Sequence, residues 1–159
     1  MPRAIRAASF RLALALTFPA LLLDASGTAG ASVTGGASDT FPDGTPRHCK
    51  PSPTKKAAVV CGQFAEKFGV VAFRIDKKYG PADGKRHSAA FLLLSVENEA
   101  LAGESLAGAG DRAGAERIFD HAMDGLIAIE NIRATAPWVT ARAAADIKAV
   151  GRDLDQLER

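Results

Sequence analysis

From Ser52 to the end, the chain carries four stretches with apolar residues at three- and four-residue steps, separated by short breaks. That pattern restricts the fold to packed helices. The first stretch opens at Ser52-Pro53, an N-cap followed by proline at the first helical position, and stops at Gly80-Pro81. Cys61, Phe64, Phe68, Val71 and Ile75 form its buried face. A loop with Pro81, Asp83 and Gly84 leads to a second helix from about Lys85 to Ala107, crowded with Phe91, Leu92, Leu93, Leu94 and Val96. That run alone would suit a buried strand; its continuation through Ala100, Leu101 and Leu106 favours helix. Gly110-Asp111 is a stop followed by a cap, after which Ala115, Phe119, Ala122, Leu126 and Ile129 share one side of a third helix. A fourth opens near Pro137 and carries Ala143, Ile147, Val150, Leu154 and Leu157. Short links between four helices predict an all-α, up-and-down four-helix bundle over residues 51–159.

What precedes the bundle has a different character. Arg3, Arg6 and Arg11 lead into an apolar run from Leu12 to Leu23, followed by small residues from Ala25 to Ala31. This is the order of a secretory signal peptide, with Ala29 and Ala31 as the small residues a peptidase requires, so residues 1–31 are predicted to be removed and Ser32 to begin the mature chain. Twelve helical residues reach only about 18 Å, short of a bilayer core of roughly 30 Å, so no stable membrane insertion is expected after cleavage. The leader also holds three Arg and one Asp, which accounts for the whole net charge of +2. What matures is electrically balanced, and nucleic acid is not a predicted partner. Residues 32–50 are rich in Gly, Ser, Thr, Asp and Pro and have too little apolar surface to offset the entropy of ordering, which predicts a flexible arm.

Cys49 and Cys61 both lie in the mature part, and an even pair this close together in an oxidising compartment predicts a disulfide. A metal site using His48, Cys49 and Cys61 would lack the C-x-x-C spacing that supports such sites, and a redox-active pair lacks it too.

Gly103, Leu106, Gly110, Ala115, Phe119 and Ala122 stand where the glycines and the A-x-x-x-F-x-x-A residues of a tetratricopeptide repeat stand, so the second turn resembles one such unit. The resemblance covers about a quarter of the mature chain and departs at Glu99, Ala102 and Ile127, where the family has tryptophan, leucine and proline. One repeat without a second copy cannot bury its own face, so these small residues are read as close packing of an antiparallel helix pair.

No set of residues specifies a reaction. The Glu-x-x-His pairs of a carboxylate-bridged di-iron bundle are missing, since Gly84 and Ile118 stand three residues before His87 and His121. Covalent haem would need C-x-x-C-H, and Ser105 lies inside a helix rather than on the strained turn of a nucleophile elbow. Met123 with a histidine would be a haem-binding alternative, although a methionine on a helix's apolar edge reads first as core filling. Glu116, Asp120 and Asp124 form an i, i+4, i+8 row beside His121, read as a solvated face with cation binding as the alternative. No cofactor is predicted.

Charge and surplus apolar surface say more. Residues 47–86 carry ten basic and three acidic groups, whereas 87–159 carry seven and twelve. Lys56, Lys67, Arg74 and Lys78 project within about 40° of one another along the first helix. They read first as complementing carboxylates of neighbouring helices and second as facing an anionic partner. Val59, Val70 and Phe73 lie on the far side of that helix from its main apolar face, so it is apolar on two sides. Either the arm tied down at Cys49 or a partner covers the second side. The sequence therefore predicts an exported protein, periplasmic or secreted, that acts without catalysis through contacts with an unidentified protein or a second copy of itself. A bundle binding a small ligand, metal or haem is the alternative.

Overall fold

The computed structural model describes residues 39–159, apart from the side chain of Ala82, and these form an up-and-down four-helix bundle. The predicted leader and residues 32–38 of the arm lie outside the described residues. A helical stretch Lys55–Gly108 is broken at Gly80 into α1 (55–79) and α2 (81–108); α3 is Arg112–Glu130 and α4 is Pro137–Glu158. Gly80 makes the break with a φ of 75°, a backbone region that strains residues bearing a Cβ, and Pro81 then opens α2.

Two boundaries differ from the sequence reading. The N-cap of α1 is Thr54, whose hydroxyl accepts the Ala57 N–H at 3.1 Å; Ser52 instead donates its backbone N–H to Ser105 Oγ at 3.3 Å, fastening the chain to the end of α2. Residues 81–84 are the first turn of α2 rather than a loop. Gly84 is there for closeness: a Cβ would lie 2.7 Å from the Asp76 carbonyl oxygen, where α1 and α2 cross. The cap at Asp111, which accepts the Gly114 N–H at 3.0 Å, and the start of α4 at Pro137 fall where the sequence places them.

α1 and α2 run antiparallel, as the Ser95 hydroxyl donating to the Ala65 carbonyl at 2.7 Å shows. α2 and α3 do the same: a Cβ on Gly103 would meet the Phe119 ring at 2.7 Å, and one on Gly125 would meet Val96 at 3.0 Å. The main core lies between α2, α3 and α4, around Leu93, Val96, Phe119, Leu126, Val139 and Val150. α2 is the central element, and no residue from 88 to 107 is exposed. Its strand-like run of apolar residues is the mark of a helix enclosed on all sides.

A smaller cluster joins α1 to α2 through Cys61 and Ala102 with Phe64, Leu101 and Ile118, and Cys49 belongs to it through its disulfide to Cys61, with a Cα–Cα distance of 5.2 Å. Residues 39–50 of the arm lie along the bundle from this staple. Thr40 pairs with Pro46 across a tight turn, and the Phe41 ring lies 5.9 Å from that of Phe68 and 6.5 Å from that of Phe91. Asn98, fully buried, accepts the Cys49 N–H at 2.8 Å and donates to the Arg47 carbonyl at 3.0 Å. Composition misses this seating because it rests on a few specific contacts. Replacing both cysteines with serine is expected to lower stability by about 3 kcal/mol through the regained entropy of the unfolded chain. The thermal midpoint should fall by roughly 10 °C while helix content at room temperature is kept.

Candidate functional site

The outer face of α1 is the largest departure from ordinary burial. Phe73 is 68% exposed, Val59 62% and Val70 42%, whereas Phe68, on the opposite side of the same helix, is 2% exposed. The seated part of the arm leaves this stripe uncovered, because Phe41 goes to the Phe68 side. Along the stripe, Gly62 and Gly69 open a groove of about 710 Å³ between α1 and α3, lined also by Val70, Ser95, Ile118 and His121. Helical geometry places Phe73 one turn beyond Gly69 and Val70, outside the groove's lining.

Lys56, Lys67, Arg74 and Lys78 are all exposed beside the stripe. Lys55 pairs with Asp111 at 3.1 Å, but none of the other four lies at ion-pair distance from a carboxylate among the described residues. Lys67 acts weakly on Asp43, whose carboxyl is held below its ordinary range chiefly by hydrogen bonding to Thr45. The acids of the other helices are turned elsewhere: Glu99 to His121 at 2.8 Å, Glu97 and Asp146 to Arg142.

Glu116, Asp120 and Asp124 are exposed on α3. Partial burial, and then the charges of Glu116, Asp124 and Glu158, push the Asp120 carboxyl above its ordinary range. Among the described residues no three His, Cys, Asp or Glu side chains are placed to hold a metal ion. Met123 packs against the main core, and His87 stacks on Tyr79 with ring centres 4.1 Å apart. Among the described residues, no helix is long and apolar enough to cross a membrane.

One buried cluster escapes sequence reasoning. Glu97 of α2, 6% exposed, receives the His48 imidazole at 2.7 Å from the arm and the Arg142 guanidinium at 2.9 Å from α4. Arg142 also reaches Asp146 at 3.2 Å, and the other ring nitrogen of His48 meets Asp39 at 2.8 Å. Burial opposes ionisation of Glu97, but hydrogen bonds from His48 and Asp146 and the charge of Arg142 outweigh it and hold the carboxyl below its usual range. Asp146 goes the other way, to about 7, through burial and then the hydrogen bond and charge of Glu97. Of the two carboxyls it is the one that takes up a proton first as pH falls, and in that form it can donate to Glu97. One heptad along both helices a second pair of carboxyls, Glu104 and Asp153, lies near enough to interact: burial and then Asp153 raise Glu104 to about 7, and burial raises Asp153. The seven-residue spacing of 97 and 104, matched by 146 and 153, was the available signal; it shows only once α2 and α4 are known to lie side by side.

The buried cluster can share protons and fasten elements together, while the α1 face and its groove can receive another molecule. No protein-family description, curated protein or solved structure matches the chain.

Proposed function

We propose that this is an exported, non-enzymatic helical protein that acts by binding another protein, or a second copy of itself, through the outer face of α1. The observation that carries the reading is Phe73, 68% exposed one turn from the exposed Val70, on a helix whose other side buries Cys61 and Phe68. Exposed Val59, Val70 and Phe73, with Gln63 and Glu66 between the first two, give α1 a mixed apolar and polar face next to a groove, which suits a contact surface. The cationic margin of Lys56, Lys67, Arg74 and Lys78 favours a partner that brings carboxylates together with apolar anchors. Two copies meeting by this same face would set like charges against each other, so a different protein fits better than a symmetric pair. Export is supported by the leader pattern and by the disulfide, a bond that persists in oxidising compartments.

Because its side chain is mostly in water, Phe73→Glu should change folding stability by under about 0.5 kcal/mol. Loss of a central aromatic anchor should weaken association by about 2 kcal/mol, roughly thirtyfold. Light scattering coupled to size-exclusion chromatography detects self-association, and capture from the exported protein fraction with wild type and Phe73→Glu side by side detects a different partner. A variant with native circular dichroism and unchanged association in both assays would overturn the reading.

A further inference from the structure

His48 sits between two carboxylates with both ring nitrogens at bonding distance, 2.8 Å to Asp39 and 2.7 Å to Glu97. A neutral imidazole has one N–H; only the imidazolium donates to both. The geometry is therefore that of the charged ring, which joins the arm on one side to the α2–α4 seam on the other. Residues 39–47 make other contacts as well. Phe41 rests on Phe68 and Phe91, and Arg47 lies over Phe41 with its Nε buried and unpartnered among the described residues. Asn98 bonds the Arg47 carbonyl at one end of this segment and the Cys49 N–H just beyond it, where the Cys49–Cys61 disulfide also fixes the chain independently of pH.

We propose that residues 39–48 are a pH-sensitive strap over Phe68 and Phe91, latched by His48 in acid and neutral conditions, released in alkali, and tethered throughout at Cys49. Charged groups face the latch from each neighbouring element. From the arm, Asp39 meets His48, and from α2 Glu97 does. When the imidazolium loses its proton, one of these carboxylates is left facing a lone pair. From α4, Arg142 and Asp146 meet the far side of Glu97. As Asp146 ionises, two carboxylates compete for one guanidinium. Lys67 of α1 acts on Asp43 within the turn of the strap. α3 packs against α2 through Phe119 and Ala122 in the main core.

The signs agree. The two carboxylates raise the His48 pKa, so its contribution is complete below the unfolded value of 6.5 and lost as pH rises through the higher folded value. For Asp146 the sign is the same but the window is earlier: its contribution is complete below the ordinary value of 3.8 and is lost as pH rises to about 7, before the latch itself opens. Release would uncover Phe68, now 2% exposed, and the partly buried Phe91, giving a second apolar surface on the flank of α1 opposite Phe73. This inference does not depend on what the Phe73 face binds.

The test is an NMR titration of the exported protein from pH 5 to 9, following the His48 ring proton and the contact between the Phe41 and Phe91 rings. The contact should fade with the same midpoint as His48, above the ordinary histidine range, as the open population rises roughly tenfold for each charge-assisted hydrogen bond lost. Helix signals should stay in place. His48→Asn, which cannot carry the charge, should show the open arm at every pH. Should that variant fail to fold, the wild-type titration decides alone. A Phe41–Phe91 contact that survives to pH 9 after His48 has lost its proton, or that fades while His48 is still charged, overturns the proposal.

Discussion

Glu97→Ala is expected to remove about 3–5 kcal/mol of stability, the range for breaking a buried ion pair by deleting one partner. Glu97 is the hub of the α2–α4 seam, and His48, Arg142 and Asp146 all bond to it. Its loss leaves the Arg142 guanidinium, held away from solvent, with fewer acceptors. Asp146 can compensate in part. Without the hydrogen bond and charge of Glu97 its carboxyl should drop from about 7 toward the ordinary range and accept more of Arg142's charge, which places the net cost at the lower end. Glu97→Gln keeps the shape and some of the hydrogen bonds and should cost less than alanine. Urea unfolding gives the stabilities and the carboxyl carbon of Asp146 reports its titration. A wild-type midpoint in Glu97→Ala, or an Asp146 that still titrates near 7, would show that the seam is not organised by Glu97.

The helical bundle is legible in the sequence because its signals are local and redundant. Apolar residues at helical steps mark four faces, and Gly110-Asp111 and Pro137 act within one turn of where they stand. Of the two misplaced boundaries, one turns on a glycine whose role is tertiary: Gly84 looks like part of a turn and is there to let α2 pass Asp76. The exposure of Val59, Val70 and Phe73 follows from helical periodicity alone. Whether Lys67 or Arg74 meets a carboxylate does not, because that depends on how the other helices turn, and their acids turn toward His121, Arg142 and one another. The buried cluster is least legible. His48 reads as part of an unstructured arm, Glu97 as a polar interruption of an apolar run and Asp146 as one acid in an alanine-rich helix. Their meeting requires the arm, α2 and α4 to be assembled first.

Phe119→Ala should cost about 3–5 kcal/mol, because this ring is 1% exposed and fills the space between α2 and α3. The contact beneath it sets up a second, opposite expectation. A Cβ on Gly103 would stand 2.7 Å from the ring, so Gly103→Ala in the wild type should force the two helices apart and cost about 1–3 kcal/mol. In the Phe119→Ala background the obstruction is gone, and the same substitution should be neutral or should stabilise by up to about 1 kcal/mol through the better helix propensity of alanine. The double-mutant cycle should therefore show a coupling of about 1–4 kcal/mol between positions 103 and 119. Urea midpoints of the four proteins measure it. Coupling near zero would mean that Phe119 swings aside without cost, and that the α2–α3 seam is held by Val96 against Gly125 instead. Coupling of the expected size would show that the small residues resembling a repeat unit here serve one particular aromatic ring.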